Sequence, residues 1–79
     1  MSTIKLKHPV TVDGVEVGSL TIRRPKVRDM LSVEKGEGVQ ADKEIRLFAN
    51  LCEVTPVTIQ ELDMADYANL QKAYQDFLS

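Results

Sequence analysis

Between Ile4 and Val12 the apolar residues Ile4, Leu6, Val10 and Val12 fall on even positions, with Lys5, Lys7 and Thr11 between them. A period of two marks a strand with one face in a core. His8 shares the apolar parity. Asp13-Gly14 interrupts the alternation, and both residues tolerate the positive φ angles that a two-residue type I′ turn requires. A hairpin over residues 1–24 is expected, with Val12 opposite Val15 and Val10 opposite Val17. Carried further, that register sets Leu6 against polar Thr21, and the two apolar faces disagree. One extra residue at Gly18-Ser19 would bring His8 opposite Leu20 and Leu6 opposite Ile22, so a β-bulge is predicted there.

After the second strand the period changes. Pro25 suits a first helical position, and Val27, Met30 and Leu31 follow at i, i+3, i+4 spacing, which predicts a first helix over 25–35. Gly36 and Gly38 end it and open a loop. Asp42 is placed to cap a second helix over 42–53. Its Ile45, Leu47, Phe48, Leu51 and Cys52 form a face broad enough to meet both the hairpin and another helix. Thr55-Pro56 reads as an N-cap and a first-turn proline, opening a short helix over 56–62. Asp63 caps a C-terminal helix over 63–78, with Asp66 in its first turn favoured by the helix dipole, and with Tyr67, Leu70, Tyr74, Phe77 and Leu78 on one stripe. The expected fold class is α+β: one domain over 1–79, an N-terminal β-hairpin followed by three to four helices packed on it.

Composition narrows the class. A chain of 79 residues can bury only about 60% of its unfolded surface, so one small core is expected, and self-association would help it. The closing residues Phe77 and Leu78 are candidates for such a homo-oligomer contact. Hydrophobic residues at 43% and charged residues at 28% are too apolar for a disordered chain. The net charge of -2 argues against a general nucleic-acid field. A single cysteine, Cys52, excludes an internal disulfide and has no metal-ligand spacing with the single His8. Lysines break up the N-terminal apolar residues where a signal peptide needs a continuous block, and no run approaches the ~18 apolar residues of a membrane span. A reducing cytoplasm without membrane insertion is the expected setting.

No catalytic constellation emerges, and no cofactor motif. His8 reads as a packed or edge-strand residue, and Cys52 as a small hydrophobe on the apolar side of its helix. Asp63 and Asp66 have a sufficient explanation at a helix start. The remaining feature is "RRPKVR", which sets Arg23, Arg24, Lys26 and Arg28 around a proline where strand becomes helix. Cations at a helix N-terminus oppose the macrodipole, so something should compensate. Asp29 can screen locally, and Glu61, Asp63 and Asp66 could face this corner if the last helix packs beside the first. Otherwise the cluster is free to meet an acidic partner segment. Nucleic acid is a third reading, weakened by the absence of interleaved aromatics.

Over nearly its full length the chain resembles the small tail assembly chaperones of Mu-like and related long-tailed bacteriophages. The resemblance is carried by "VDGVEVGSLTIRRP", then "VRDML", a glycine-containing gap, and "EIRLFANLCEVTPVTIQELDMADYANLQKAYQDFL". Its most telling part is "FANLCEV" followed by Thr-Pro and "LDMADYANLQ". Two arginines precede Pro25 where an acidic residue is common. The resemblance implies a non-enzymatic protein made in the cytoplasm of the bacterial host. It would bind the long, largely helical tape measure protein, keep it soluble, and give way as tail tube subunits polymerise around it. Such proteins often occur in a short form and a longer frameshifted form. The competing reading is a small regulatory or nucleic-acid-binding module that uses the basic cluster at residues 23–28.

Overall fold

The computed structural model describes residues 1–35 and 38–79. Two antiparallel strands, β1 (Ser2–Val12) and β2 (Val15–Ile22), precede four helices: α1 (Val27–Glu34), α2 (Gln40–Cys52), α3 (Pro56–Gln60) and α4 (Met64–Phe77). The α+β class follows from these elements. The Asp13-Gly14 turn has φ of 51° and 77°, the double positive φ of a type I′ hairpin. Val12 pairs with Val15 and Val10 with Val17, as the alternation predicts.

The irregularity lies on the other strand from the one expected. Lys5 pairs with Ser19 and Val10 with Val17, so Leu6, Lys7, His8 and Pro9 of β1 stand against the single Gly18 of β2. Beyond it Ile4 pairs with Leu20 and Ser2 with Ile22, and neither His8 nor Leu6 takes the partner predicted for it. Matching apolar faces require an odd insertion, and the insertion is odd, but it sits at Leu6–Pro9. Two things hold it there. Pro9 has no N–H to give to a ladder, and the N–H groups of Lys7 and His8 are drawn out of the ladder to the Asp66 carboxylate, at 2.9 and 3.0 Å.

The core is formed by Leu6, Leu20 and Ile22 from the hairpin, Phe48, Ala49, Leu51 and Cys52 from α2, Ile59 and Leu62 around α3, and Leu70 from α4. α2 is central, and Phe48 makes edge-on ring contacts with Tyr67 at 5.7 Å and Tyr74 at 5.5 Å between centroids. These T-shaped contacts suit the ring quadrupoles. Cys52 sits in this core, where burial pushes its thiol up to about 11 and leaves it inert.

Helix ends follow local chemistry. α2 starts at Gln40 after Val39, two residues before the expected Asp42, which lies instead in the first turn. The expected role of Gly36 falls outside the described residues, while Gly38 takes φ 122° before α2. α2 ends with Glu53 in the left-handed region at φ 56°; Val54 N–H donates to the Ala49 carbonyl and Glu53 N–H to that of Asn50, a Schellman-type closure. Pro56 opens α3 as predicted and Thr55 holds the cap position, though without a side-chain cap hydrogen bond, and Asp63 caps α4 by accepting the Ala65 N–H at 2.9 Å.

Candidate protein-binding surface

α1 begins later than its proline suggests and turns its apolar residues outward. Pro25 precedes the helix by two residues, and Lys26 occupies the cap position. Val27, Met30 and Leu31 are 72%, 55% and 51% exposed, whereas Asp29 and Val33 face inward. The cause lies at the strand–helix junction. Arg23 makes a two-pronged pair with Asp29, Nη2 to Oδ1 at 2.7 Å and Nη1 to Oδ2 at 2.9 Å, and the Lys26 N–H donates to the same carboxylate at 2.8 Å. A parallel guanidinium–carboxylate pair is geometrically demanding, so it fixes the rotation of the helix. Val33, one turn later, follows Asp29 inward. The Arg23 hydrogen bonds outweigh burial and hold the Asp29 carboxyl down at about 2.

The basic cluster is thereby divided among three tasks. Arg23 is engaged by Asp29, and among the described residues it is the acidic partner in this corner; Glu61, Asp63 and Asp66 do not fill that role. Asp66 is instead fully buried against β1, its carboxyl lowered by the Lys7 and His8 N–H groups against the opposing effect of burial. The Arg24 guanidinium lies over the ring of Phe77, 5.8 Å from its centroid, a cation–π contact. Lys26 and Arg28 are exposed, and no salt bridge holds either of them among the described residues. The two remaining candidates, Phe77 and Leu78, differ: Phe77 is half-buried against the core, while Leu78 is 58% exposed.

Beside the α1 crest runs a hollow of about 210 Å³ between α1, α2 and α4, lined by Met30, Val33, Leu47, Phe48 and Tyr74 together with the polar Glu34, Gln40, Lys43 and Glu44. A second hollow of about 450 Å³ lies on the other side of Glu44, with Ile45, Ile59, Leu62, Met64 and Tyr67 on its walls. Glu44 divides them: it accepts the Tyr67 hydroxyl proton and a Gln71 side-chain N–H at 2.7 Å, bridging α2 to α4. Burial, with Glu44 as acceptor, pushes the Tyr67 phenol upward, so it stays a donor.

Glu44 and the outward α1 crest escape a reading of apolar spacing. The available signal for the crest was Asp29 and Val33 at i, i+4, six residues after an arginine that can reach back. Together these features make a surface that can seat apolar side chains on a helical platform with cations at one end. The arrangement brings no nucleophile and base together among the described residues, and no group of three or more His, Cys, Asp or Glu side chains there could hold a metal ion. No described helix is long and apolar enough to cross a membrane.

Comparison with curated proteins and with solved structures returned no match. The model of one protein family, described as phage tail assembly chaperone proteins E, or 41 or 14, matches residues 3–79. That match takes in the hairpin, the α1 crest and all of α4, and the chain belongs to this family of phage tail assembly chaperones.

Proposed function

We propose that the chain binds amphipathic helical stretches of the tape measure protein and keeps them soluble until tail tube subunits polymerise around them. The observation that carries this reading is the outward apolar crest Val27, Met30 and Leu31 beside the hollow floored by Leu47, Phe48 and Tyr74. A helix laid in such a groove buries its own apolar stripe at i, i+3, i+4 and i+7. The crest is short, so each contact is weak and reversible, which suits a chaperone that must yield to the tube. On this reading the chain acts without catalysis in the bacterial host cytoplasm. A longer frameshifted form would carry the same crest. Recognition of nucleic acid by residues 23–28 gains no support, because Arg23 is spent on Asp29 and Arg24 on Phe77.

Co-expression with the tape measure protein of the encoding phage tests the proposal. The wild-type chain is expected to raise the soluble fraction of the tape measure and to co-purify with it. Met30→Asp combined with Leu31→Asp changes exposed positions only, so it should fold normally and lose both effects. Full capture by that variant would remove the α1 crest from the binding surface.

A further inference from the structure

The hairpin has two outer edges, and they differ in how they are protected. β1 carries Lys5, Lys7 and Pro9, and at its irregularity the N–H groups of Lys7 and His8 are sealed by the Asp66 carboxylate from α4. Charged residues, proline and a covering element are the ordinary devices that stop an edge from recruiting another strand. β2 has fewer of them. Its sequence, VEVGSLTI, contains one charge, Glu16, and neither lysine nor proline. Apart from its pairing with β1, the backbone of Val15–Ile22 makes no hydrogen bond among the described residues. Val15, Glu16, Gly18, Ser19 and Thr21 are all exposed, positions of both parities.

Gly18 lies near the middle of this edge. It does not have a positive φ, and a Cβ built on it would meet no atom within 4 Å. The monomer therefore has room for a side chain at this position, which lies opposite the irregularity of β1, a common place for a strand glycine.

We infer that β2 is a dimerisation edge: β2 of a second copy pairs with it antiparallel about a two-fold axis passing close to Gly18, giving a four-stranded sheet in the order β1-β2-β2-β1. The occupant is a second copy because backbone pairing needs an extended segment with an open edge, and β2 is itself such a segment. Charge permits it, since the pairing stretch brings only one acidic residue from each chain. The arrangement also closes. Once the β2 edges are joined, both outer edges of the sheet are β1, with its lysines, proline and Asp66 seal, so growth stops at two. Eight residues of strand make a small interface, and the dimer should be weak and concentration-dependent. This inference stands apart from tape measure binding, which uses the α1 crest.

Sedimentation velocity over a wide concentration series, with no partner present, tests it. The wild-type chain should pass from monomer to dimer. Gly18→Ala fits the open space and should keep the dimer. Gly18→Lys fits the same space in the monomer, so its melting should match the wild type, while lysines meeting near the axis should weaken association about tenfold or more. Gly18→Cys should form a disulfide-linked dimer on mild oxidation, because directly opposed strand residues lie within bridging distance. Leu78→Cys should not. A wild-type chain that stays monomeric throughout would overturn the inference. So would a dimer indifferent to Gly18→Lys, or one that cross-links through Leu78→Cys and not through Gly18→Cys, which would move the interface to α4.

Discussion

The carboxylate of Asp66 accepts the backbone N–H of Lys7 at 2.9 Å, joining the first turn of the last helix to the middle of the first strand across 59 residues of sequence. The second oxygen takes the His8 N–H at 3.0 Å. One buried side chain thus satisfies two amides that the strand irregularity leaves without ladder partners. Its removal would strand both.

Asp63 and Asp66 lie three residues apart, yet their substitution should have unequal effects. Asp63→Ala removes an exposed cap bond and should cost about 0.5–2 kcal/mol. Asp66→Ala should cost more than Asp63→Ala in the same denaturant titration, and should speed hydrogen exchange at Lys7 and His8 selectively. Equal losses with unchanged exchange at those amides would reduce Asp66 to a helix-start residue.

Acid should unfold the protein through the same kind of group. Asp29 is held down at about 2 by Arg23, against about 3.9 for an ordinary aspartate, and Asp66 is lowered as well. The unfolded chain therefore takes up protons at a higher pH than the folded one. The stability these carboxylates contribute is fully present above about pH 5 and is lost as pH falls through about 4 towards 2. Asp29→Asn should be less stable than the wild type at neutral pH and show a shallower decline over that window. A decline as steep as the wild type's would assign the acid sensitivity to other carboxylates.

Phe48 is 1% exposed and touches both Tyr67 and Tyr74. Phe48→Ala should cost about 3–5 kcal/mol, enough to unfold much of a domain this small. Glu53→Gly should act in the opposite direction, adding up to about 1 kcal/mol, because Glu53 holds φ 56° at a helix end where glycine carries no penalty. Thermal melts read both. A Glu53→Gly variant that melts below the wild type would mean that its side chain contributes more than its backbone costs.

Local chemistry was legible in the sequence and long-range chemistry was not. Asp13-Gly14, Pro56 and Asp63 act locally, and each does what its type predicts. The broad face of α2 was legible for a related reason, since Phe48, Leu51 and Cys52 are apolar and buried. The bulge was misplaced because its partner, Asp66, is supplied by the other end of the chain. The rotation of α1 was not legible, because the spacing of Val27, Met30 and Leu31 indicates a helix without saying which side packs, whereas the Arg23–Asp29 pair decides which side faces in. The outward crest is the candidate binding surface, so the residues whose orientation the spacing left open are the ones that bear on function.

The division of the basic cluster separates its structural member from those free to meet a partner. Arg23→Ala would leave Asp29 buried without its guanidinium, so stability should fall whether or not a partner is present. Lys26 and Arg28 are exposed and should be dispensable for folding. If they attract an acidic stretch of the tape measure protein towards the α1 crest, Lys26→Glu with Arg28→Glu should weaken capture and flatten its dependence on salt, with the melting temperature unchanged. Arg24 needs separate treatment because its reversal also uncovers Phe77. Capture measured at low and high ionic strength therefore decides the role of the cluster: an unaltered salt dependence in the double variant would show that apolar contact at Met30 and Leu31 acts without help from the cations.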